Sequence, residues 1–314
     1  LSQGYEIGTA SETVGPVRPG HQDDHVTAEH HPALLLIAHG TREPSGATEM
    51  DELVGHLRGR VGAPVAAAWL EDFAEPDAVT AAARLVGEGA RSIVTVPFLV
   101  LGAGHAKTDV PESVAQVRAR HPEVPVTHGR VLGLHPTLFD LACARIDAIS
   151  DGDRADEVLI VTGAGSSDPD ANGDLAKAAR LLAELTGHRW VEIAYAGVTW
   201  PKADALFDRL RHAGARRAVR FSWSLLAGLL ERRVDGWAAD ATADGLDIAD
   251  AGRFGPDPLV ADVVVARYHE AIAGDARMNC DLCAYRLPLR GFESRVGLPS
   301  AGGLGTAVHP SATA

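Results

Sequence analysis

The sequence predicts an α/β fold built twice over: two similar domains, each a mostly parallel sheet flanked by helices. Three observations predict it. Short, wholly apolar runs of strand length alternate with stretches whose apolar residues recur at helical spacing, the pattern of a parallel sheet. This plan runs through residues 32–150 and again through 156–273. The recurring unit of about 120 residues is domain-sized, unlike a solenoid repeat. Two of the apolar runs lead into a histidine beside a glycine, and open parallel sheets bind their ligands at such strand ends.

The elements follow in order. Residues 1–31 carry Gly, Pro, Thr, Asp and His21, His25, His30 and His31 with no apolar period, and read as a disordered tail. Those histidines form either a solvated extension or a weak metal-collecting tract. The strand Leu34–Ala38 runs into His39-Gly40-Thr41-Arg42, and a helix follows near 45–60. A short strand at 64–69 leads to Trp69-Leu70-Glu71. The helix at 76–88 stops near Gly87 and Gly89. The strand at 93–100 leads through Gly102-Ala103-Gly104 to His105 and Lys107. A helix at 111–120 opens on Pro111, a favoured first-turn residue, just after Asp109. Val124–Thr127 is a short strand, and the helix Pro136–Ile149 closes the first half.

The second half repeats the plan. It has a strand at Val158–Gly163, a helix at Leu175–Leu185, a strand at Trp190–Ala194 and a helix at Ala203–His212. A strand at Ala218–Leu226 and a closing helix at Leu259–Ile272 follow. Residues 274–314 form a tail with the pair Cys280-x-x-Cys283. Matching Val158–Gly163 to Leu35–Gly40 puts Thr162 in the place of His39. No histidine recurs near Leu229 and Leu230, where His105 would fall. The chemistry therefore belongs to the first half. The second becomes a cleft wall, a substrate-binding face or a structural remnant.

Composition excludes several classes. The 314 residues carry a net charge of -13 with no basic run, and 5% are aromatic, which argues against a nucleic-acid partner. No apolar run reaches membrane-spanning length and no signal-peptide core stands near the start, so no membrane partner is expected. Three cysteines (Cys143, Cys280 and Cys283) do not make a disulfide scaffold in a chain this long, and the cytoplasm is the expected compartment. The chain opens on Leu1, so either the start is atypical or the N-terminus is incomplete.

His39 and His105 sit at equivalent strand ends, and Glu71 ends a third strand. Two imidazoles and one carboxylate suit a divalent first-row metal with open positions. Neutral imidazoles also accept protons near neutral pH. Rival readings fit less of the chain. Gly163-Ala164-Gly165 lacks the third glycine of a dinucleotide fingerprint, Gly102-Ala103-Gly104 fails likewise, and no Walker A lysine pattern exists. A histidine phosphatase would carry Arg before its His, where this chain has Ala38. A non-catalytic metal-binding protein or metallochaperone would explain the histidines and cysteines but not a large two-domain cleft.

Several blocks in combination resemble a known family. They are His39-Gly40-Thr41-Arg42, Trp69-Leu70-Glu71 with Glu75-Pro76, Val96-Pro97-Phe98-Leu99, and Gly104-His105-Ala106-Lys107-Thr108-Asp109-Val110-Pro111. The stretch His128–Pro136 and the segment Met278-Asn279-Cys280-Asp281-Leu282-Cys283 complete the set. Together they are similar to the sirohydrochlorin chelatases of the CbiX and SirB type, the class II chelatases, in their long two-domain form. The resemblance implies two chelatase-like domains facing a cleft. It implies insertion of a divalent metal, Co²⁺ first and Fe²⁺ next, into sirohydrochlorin, a tetrapyrrole with eight carboxylates, for cobalamin or siroheme biosynthesis. It assigns His39 and His105 as catalytic metal ligands, with Glu71 as their acidic helper.

A chain at -13 repels an octa-anion at long range. Arg42 and Lys107, beside the two histidines, and helix N-termini at the strand ends are expected to offset this, and Arg42, Gly104 and Lys107 are the expected substrate-binding residues. For the Cys280-x-x-Cys283 pair, a zinc site would need two further ligands, and a redox pair would sit at a helix start in a βαβ unit. The resemblance implies a [4Fe–4S] cluster, which usually takes four thiolates. One chain offers two there, with Cys143 as a third on a helix, and a homodimer would offer four.

Overall fold

The computed structural model describes residues 31–71, 74–150 and 154–276. The tail histidines His21, His25 and His30 and the pair Cys280 and Cys283 lie outside the described residues.

The first repeat runs β1 (Ala33–Ala38), α1 (Pro44–Val61), β2 (Val65–Trp69), α2 (Ala78–Gly87), β3 (Ile93–Phe98), α3 (Val110–Arg120), β4 (Val126–His128) and α4 (Pro136–Ile149). A wide π-helical turn, His105–Asp109, runs straight into α3. The second repeat runs β5 (Val158–Gly163), α5 (Pro169–Thr186), β6 (Trp190–Tyr195), α6 (Ala203–His212), β7 (Arg217–Ser222), α7 (Leu229–Ala243), β8 (Asp247–Asp250) and α8 (Pro258–Ile272). The strands form two four-stranded sheets, ordered β2-β1-β3-β4 and β6-β5-β7-β8, and every pairing is parallel. Helices cover both faces of each sheet, so the central strands β1, β3 and β5 are buried throughout and read as largely apolar runs, broken only by Thr95 and Thr162.

The structure corrects several boundaries. β3 stops at Phe98 and β7 at Ser222, short of the expected 100 and 226, and α5 begins at Pro169 instead of Leu175. Sequence reading carried no element between Leu226 and Leu259, where α7 and β8 stand. Only Val234 of α7 is fully buried. The signal was a stripe of Leu230, Val234, Trp237 and Ala241, which packs on the apolar cluster around Ala203 and Phe207.

Equivalent backbone hydrogen bonds at the strand ends set the correspondence between the two repeats there. Leu70 N donates to Ala38 O and Glu71 N to His39 O; in the second repeat Ala196 N donates to Gly163 O and Gly197 N to Ala164 O. Gly40 and Gly165 occupy the same turn, with φ of 116° and 83°, a region open to glycine. The counterpart of His39 is therefore Ala164, not Thr162. Thr162 lies two residues earlier, inside β5, paired with Ser222. Apolar runs carry no internal marker, so their composition alone leaves the register two residues off.

The repeats 32–150 and 156–273 are not the packing units, because their closing helices are exchanged. α4 packs on α5 and β7 of the second sheet, whereas α8 packs on α1, β3 and β4 of the first. Buried Arg267 of α8 donates to Leu132 O from Nε at 3.1 Å, Tyr268 Oη donates to Pro32 O at 2.7 Å, and Arg130 forks onto Glu270 at 2.8 and 3.0 Å. From α4, Arg145 donates to Phe254 O at 3.1 Å. One apolar core accordingly runs through both repeats, from Leu34 and Leu36 to Phe221 and Phe254.

Candidate metal centre

His39 is the first residue after β1, and Glu71 the second after β2. The bond from Glu71 N to His39 O, 3.1 Å long, fixes these two strand ends side by side. His105 opens the π-helical turn that follows β3, with Val110 N donating back to His105 O. One potential ligand atom from each of His39, Glu71 and His105 lies within 4.8 Å of the others. The imidazole rings meet edge to face, with centroids 4.3 Å apart at 85°, and His39 Nε2 is 3.7 Å from Glu71 Oε1. The three residues expected to act together are therefore brought together.

Both imidazoles are held through Nδ1. His39 Nδ1 lies 3.3 Å from Gly40 O, a partner that can only accept, so Nδ1 carries the hydrogen and Nε2 offers its lone pair. His105 Nδ1 contacts Asp109 Oδ2. This is the carboxylate–imidazole pairing that fixes the ring orientation and tautomer of metal-ligating histidines. In the sequence Asp109 stands out only as the residue before a helix. Its signal was the spacing, since His105 and Asp109 are four apart and share one helical face. Burial, and next the neighbouring His105, push the His39 pKa below its ordinary value, while Gly40 O, Glu71 and Asp109 pull it back in part. His39 is thus neutral at pH 7, the form that binds metal or takes a proton.

The centre opens into a cleft of about 1230 Å³ lined by both repeats. That exceeds the range of about 300–1,000 Å³ usual for small-molecule sites, so the cleft suits a large ligand. Arg42 is exposed at its margin and Gly104 lies in its wall. Lys107 does not line it. Two positions beyond His105 on a helical turn, it points away into a separate pocket of about 430 Å³. There Nζ donates to Asp168 Oδ2 at 2.8 Å and Asp170 Oδ2 at 2.9 Å, across to the other repeat. Its side chain is 9% exposed and that of Asp168 only 2%. The expected substrate contact of Lys107 is thus replaced by a clasp between the repeats.

Cys143 stands half-buried on α4, and burial pushes its thiol pKa up, away from the thiolate a cluster would need. With three cysteines in the sequence, one chain does not supply four thiolates. Among the described residues no helix is long and apolar enough to cross a membrane.

Two parallel α/β sheets that share a cleft, with two histidines and a carboxylate at the strand ends of one sheet, define a metal-handling protein with a duplicated scaffold. The CbiX family model matches the chain twice, at residues 33–149 and 158–271, and the chain belongs to the CbiX family. It is 31% identical over 262 residues to the sirohydrochlorin cobaltochelatase of Priestia megaterium, a match spanning 81% of this chain and 85% of that one. It is 26% identical over 202 residues to a sirohydrochlorin ferrochelatase of the same organism, spanning 64% and 76%. The solved structure of SirB from Bacillus subtilis with Fe³⁺ shares the fold, with a TM-score of 0.70 at 24% identity over 79% of this chain and 99% of that one.

Proposed function

We propose that the protein is a sirohydrochlorin chelatase, a lyase that inserts a divalent metal into sirohydrochlorin. The observation that carries the reading is the convergence of His39, Glu71 and His105 within 4.8 Å at one wall of a cleft large enough for a tetrapyrrole. Co²⁺ is favoured over Fe²⁺, because the cobaltochelatase match is both closer and longer than the ferrochelatase match. Cobalt insertion leads toward cobalamin, iron insertion toward siroheme.

Insertion replaces two pyrrole N–H protons by one M²⁺, so the site must deliver a dication and remove two protons. His39 Nε2 and His105 Nε2 hold the incoming ion, and Glu71 balances part of its charge. As the ring nitrogens take over the metal, the released imidazoles and carboxylate become bases for the two protons. Asp109 stabilises the imidazolium that forms on His105. Arg42, with the backbone around Gly104, receives part of the anionic substrate.

Anaerobic mixing with sirohydrochlorin and Co²⁺ or Fe²⁺, followed by visible spectra, tests the reading. His39→Ala and His105→Ala should each slow metallation by a hundredfold or more; unchanged rates would remove both from the site. A [4Fe–4S] cluster on Cys280 and Cys283 belongs to this reading only as the property of a homodimer, which supplies four thiolates. Iron and sulfide analysis of anaerobically purified protein, with its mass in solution, decides that point. A cytoplasmic location completes the reading.

A further inference from the structure

The duplication leaves a second set of ligand positions, and the structure shows what fills them. His39, Glu71 and His105 correspond to Ala164, Gly197 and Leu229: the first two by identical backbone hydrogen bonds, the third as the residue after Gly104 and Gly228, which cap the helical segments following β3 and β7. Ala164 and Gly197 adjoin, with Leu230, the neighbour of Leu229, beside them. A Cβ built on Gly197 would lie 3.8 Å from both Ala164 O and Leu230 Cδ2, and one built on Gly165 would lie 2.5 Å from Gly197 O. Val198, Leu229 and Leu230 all line the cleft. Leu229 is 48% exposed and Val198 45% exposed, among the few large apolar side chains so open to solvent. Val198 also holds a φ of 54°, a conformation that β-branched residues rarely adopt. Such strain persists where the surroundings impose it, commonly beside ligands. The result is a pad of small and apolar residues, Ala164, Gly197, Val198, Leu229 and Leu230, on the second repeat's side of the cleft that holds His39, Glu71 and His105, with Glu231 and Arg233 lining the same wall.

We infer that this vacated ligand set is the platform for the flat face of the tetrapyrrole, with Leu229 and Val198 as its contact residues. The inference rests on the chelatase reading above. A tetrapyrrole is a conjugated disc, apolar on its faces and anionic at its edge. A disc lying on the pad presents its other face to the histidines, and its carboxylates project toward the cleft margin. The absence of a second ligand set then has a consequence: one wall delivers metal, and the other offers no matching set of ligands to compete for it. The walls are pinned together beside the trio, where Thr41 Oγ1 donates to Ala227 O at 2.9 Å, so the pad has a fixed setting against the ligands.

Leu229→Asp tests this directly. Leu229 is the first residue of α7, where a carboxylate favours the helix. Folding should hold while an anion is set against the disc. Val198→Gly is the second variant, since glycine relieves the left-handed backbone and deletes the contact. Metal-free sirohydrochlorin is titrated anaerobically by its visible spectrum, and Co²⁺ is titrated separately. Leu229→Asp should weaken sirohydrochlorin binding about tenfold or more and Val198→Gly about threefold, with Co²⁺ affinity unchanged in both. His39→Ala should show the reverse, losing Co²⁺ and keeping the tetrapyrrole. Sirohydrochlorin affinity within twofold of the parent in both pad variants would overturn the inference and leave the chelatase reading standing. Failure of the parent protein to bind sirohydrochlorin at all would overturn both.

Discussion

Replacing Lys107 by Met separates a clasp from a substrate contact. The substitution keeps most of the aliphatic stem and removes the charge. Its ammonium lies 2.8 Å from Asp168 and 2.9 Å from Asp170, and the Asp168 side chain is 2% exposed. Removing one partner of a buried ion pair costs about 3–5 kcal/mol, because the remaining charge stays desolvated. Asp170 is 14% exposed and can recover some hydration, and Asp168 Oδ1 still accepts from Asp170 N at 3.1 Å. The lower end, about 3 kcal/mol, is therefore expected. For a chain of this size about 1 kcal/mol shifts Tm by 2–4 °C, so Lys107→Met should melt about 6–12 °C lower. Adding Asp168→Asn removes the orphaned charge and should recover part of that loss, a coupling that a double-mutant cycle reads directly. Calorimetry gives the melting temperatures, and sirohydrochlorin titration gives the affinity. An unchanged Tm with weakened sirohydrochlorin binding would refute the clasp and return Lys107 to the substrate.

Asp109→Asn should lower Co²⁺ affinity and the metallation rate by about 10–100-fold while the protein stays folded, since it removes the carboxylate that orients His105; values within twofold of the parent would show that His105 needs no such support. Gly46→Ala should cost about 1–3 kcal/mol by overpacking, because its Cβ would fall 2.6 Å from Ala227 O and 2.7 Å from Thr41 Cγ2. A denaturation midpoint equal to the parent's would mean that this contact between repeats yields freely. Stability should also fall as pH drops below about 6.5. Burial is the leading cause that lowers the pKa values of His39, His128 and His135, so near and below 6.5 the unfolded chain binds more protons than the folded one and ΔG rises with pH. His135 adds to this, since its Nδ1 accepts from Thr137 N at the start of α4 and a protonated ring cannot. A urea midpoint at pH 5.5 equal to or above that at pH 7.5 would contradict the sign.

The strands and the meeting of His39 with Glu71 were legible for one physical reason: parallel strands buried on both faces leave largely apolar runs, and the residues just past such a run stand at the ligand end of the sheet. His105 stands seven residues beyond β3 and reaches the other two through the helical turn that it opens. Asp109 was legible in principle through its spacing from His105 but lay hidden as a helix boundary. Lys107 misled because neighbours in sequence on a helical turn face different ways. Helix α7 buries little, and β8 is four residues with none fully buried, so neither writes a strong apolar pattern. The exchange of α4 and α8 leaves no local trace, since both helices carry apolar faces that would fit either sheet.

That exchange bears on how the molecule comes off the ribosome. The strands of the first sheet are complete once His128 has emerged, yet one helix that covers them begins at Pro258, roughly 130 residues later. At about 5–20 residues per second, the nascent sheet waits on the order of ten seconds with the face destined for α8 uncovered. During that interval α4 is the available amphipathic helix at hand, and it belongs elsewhere. The first repeat therefore cannot mature as an independent folding unit ahead of the second. His39, Glu71 and His105 gain their final framework only when translation has delivered nearly all of the described chain.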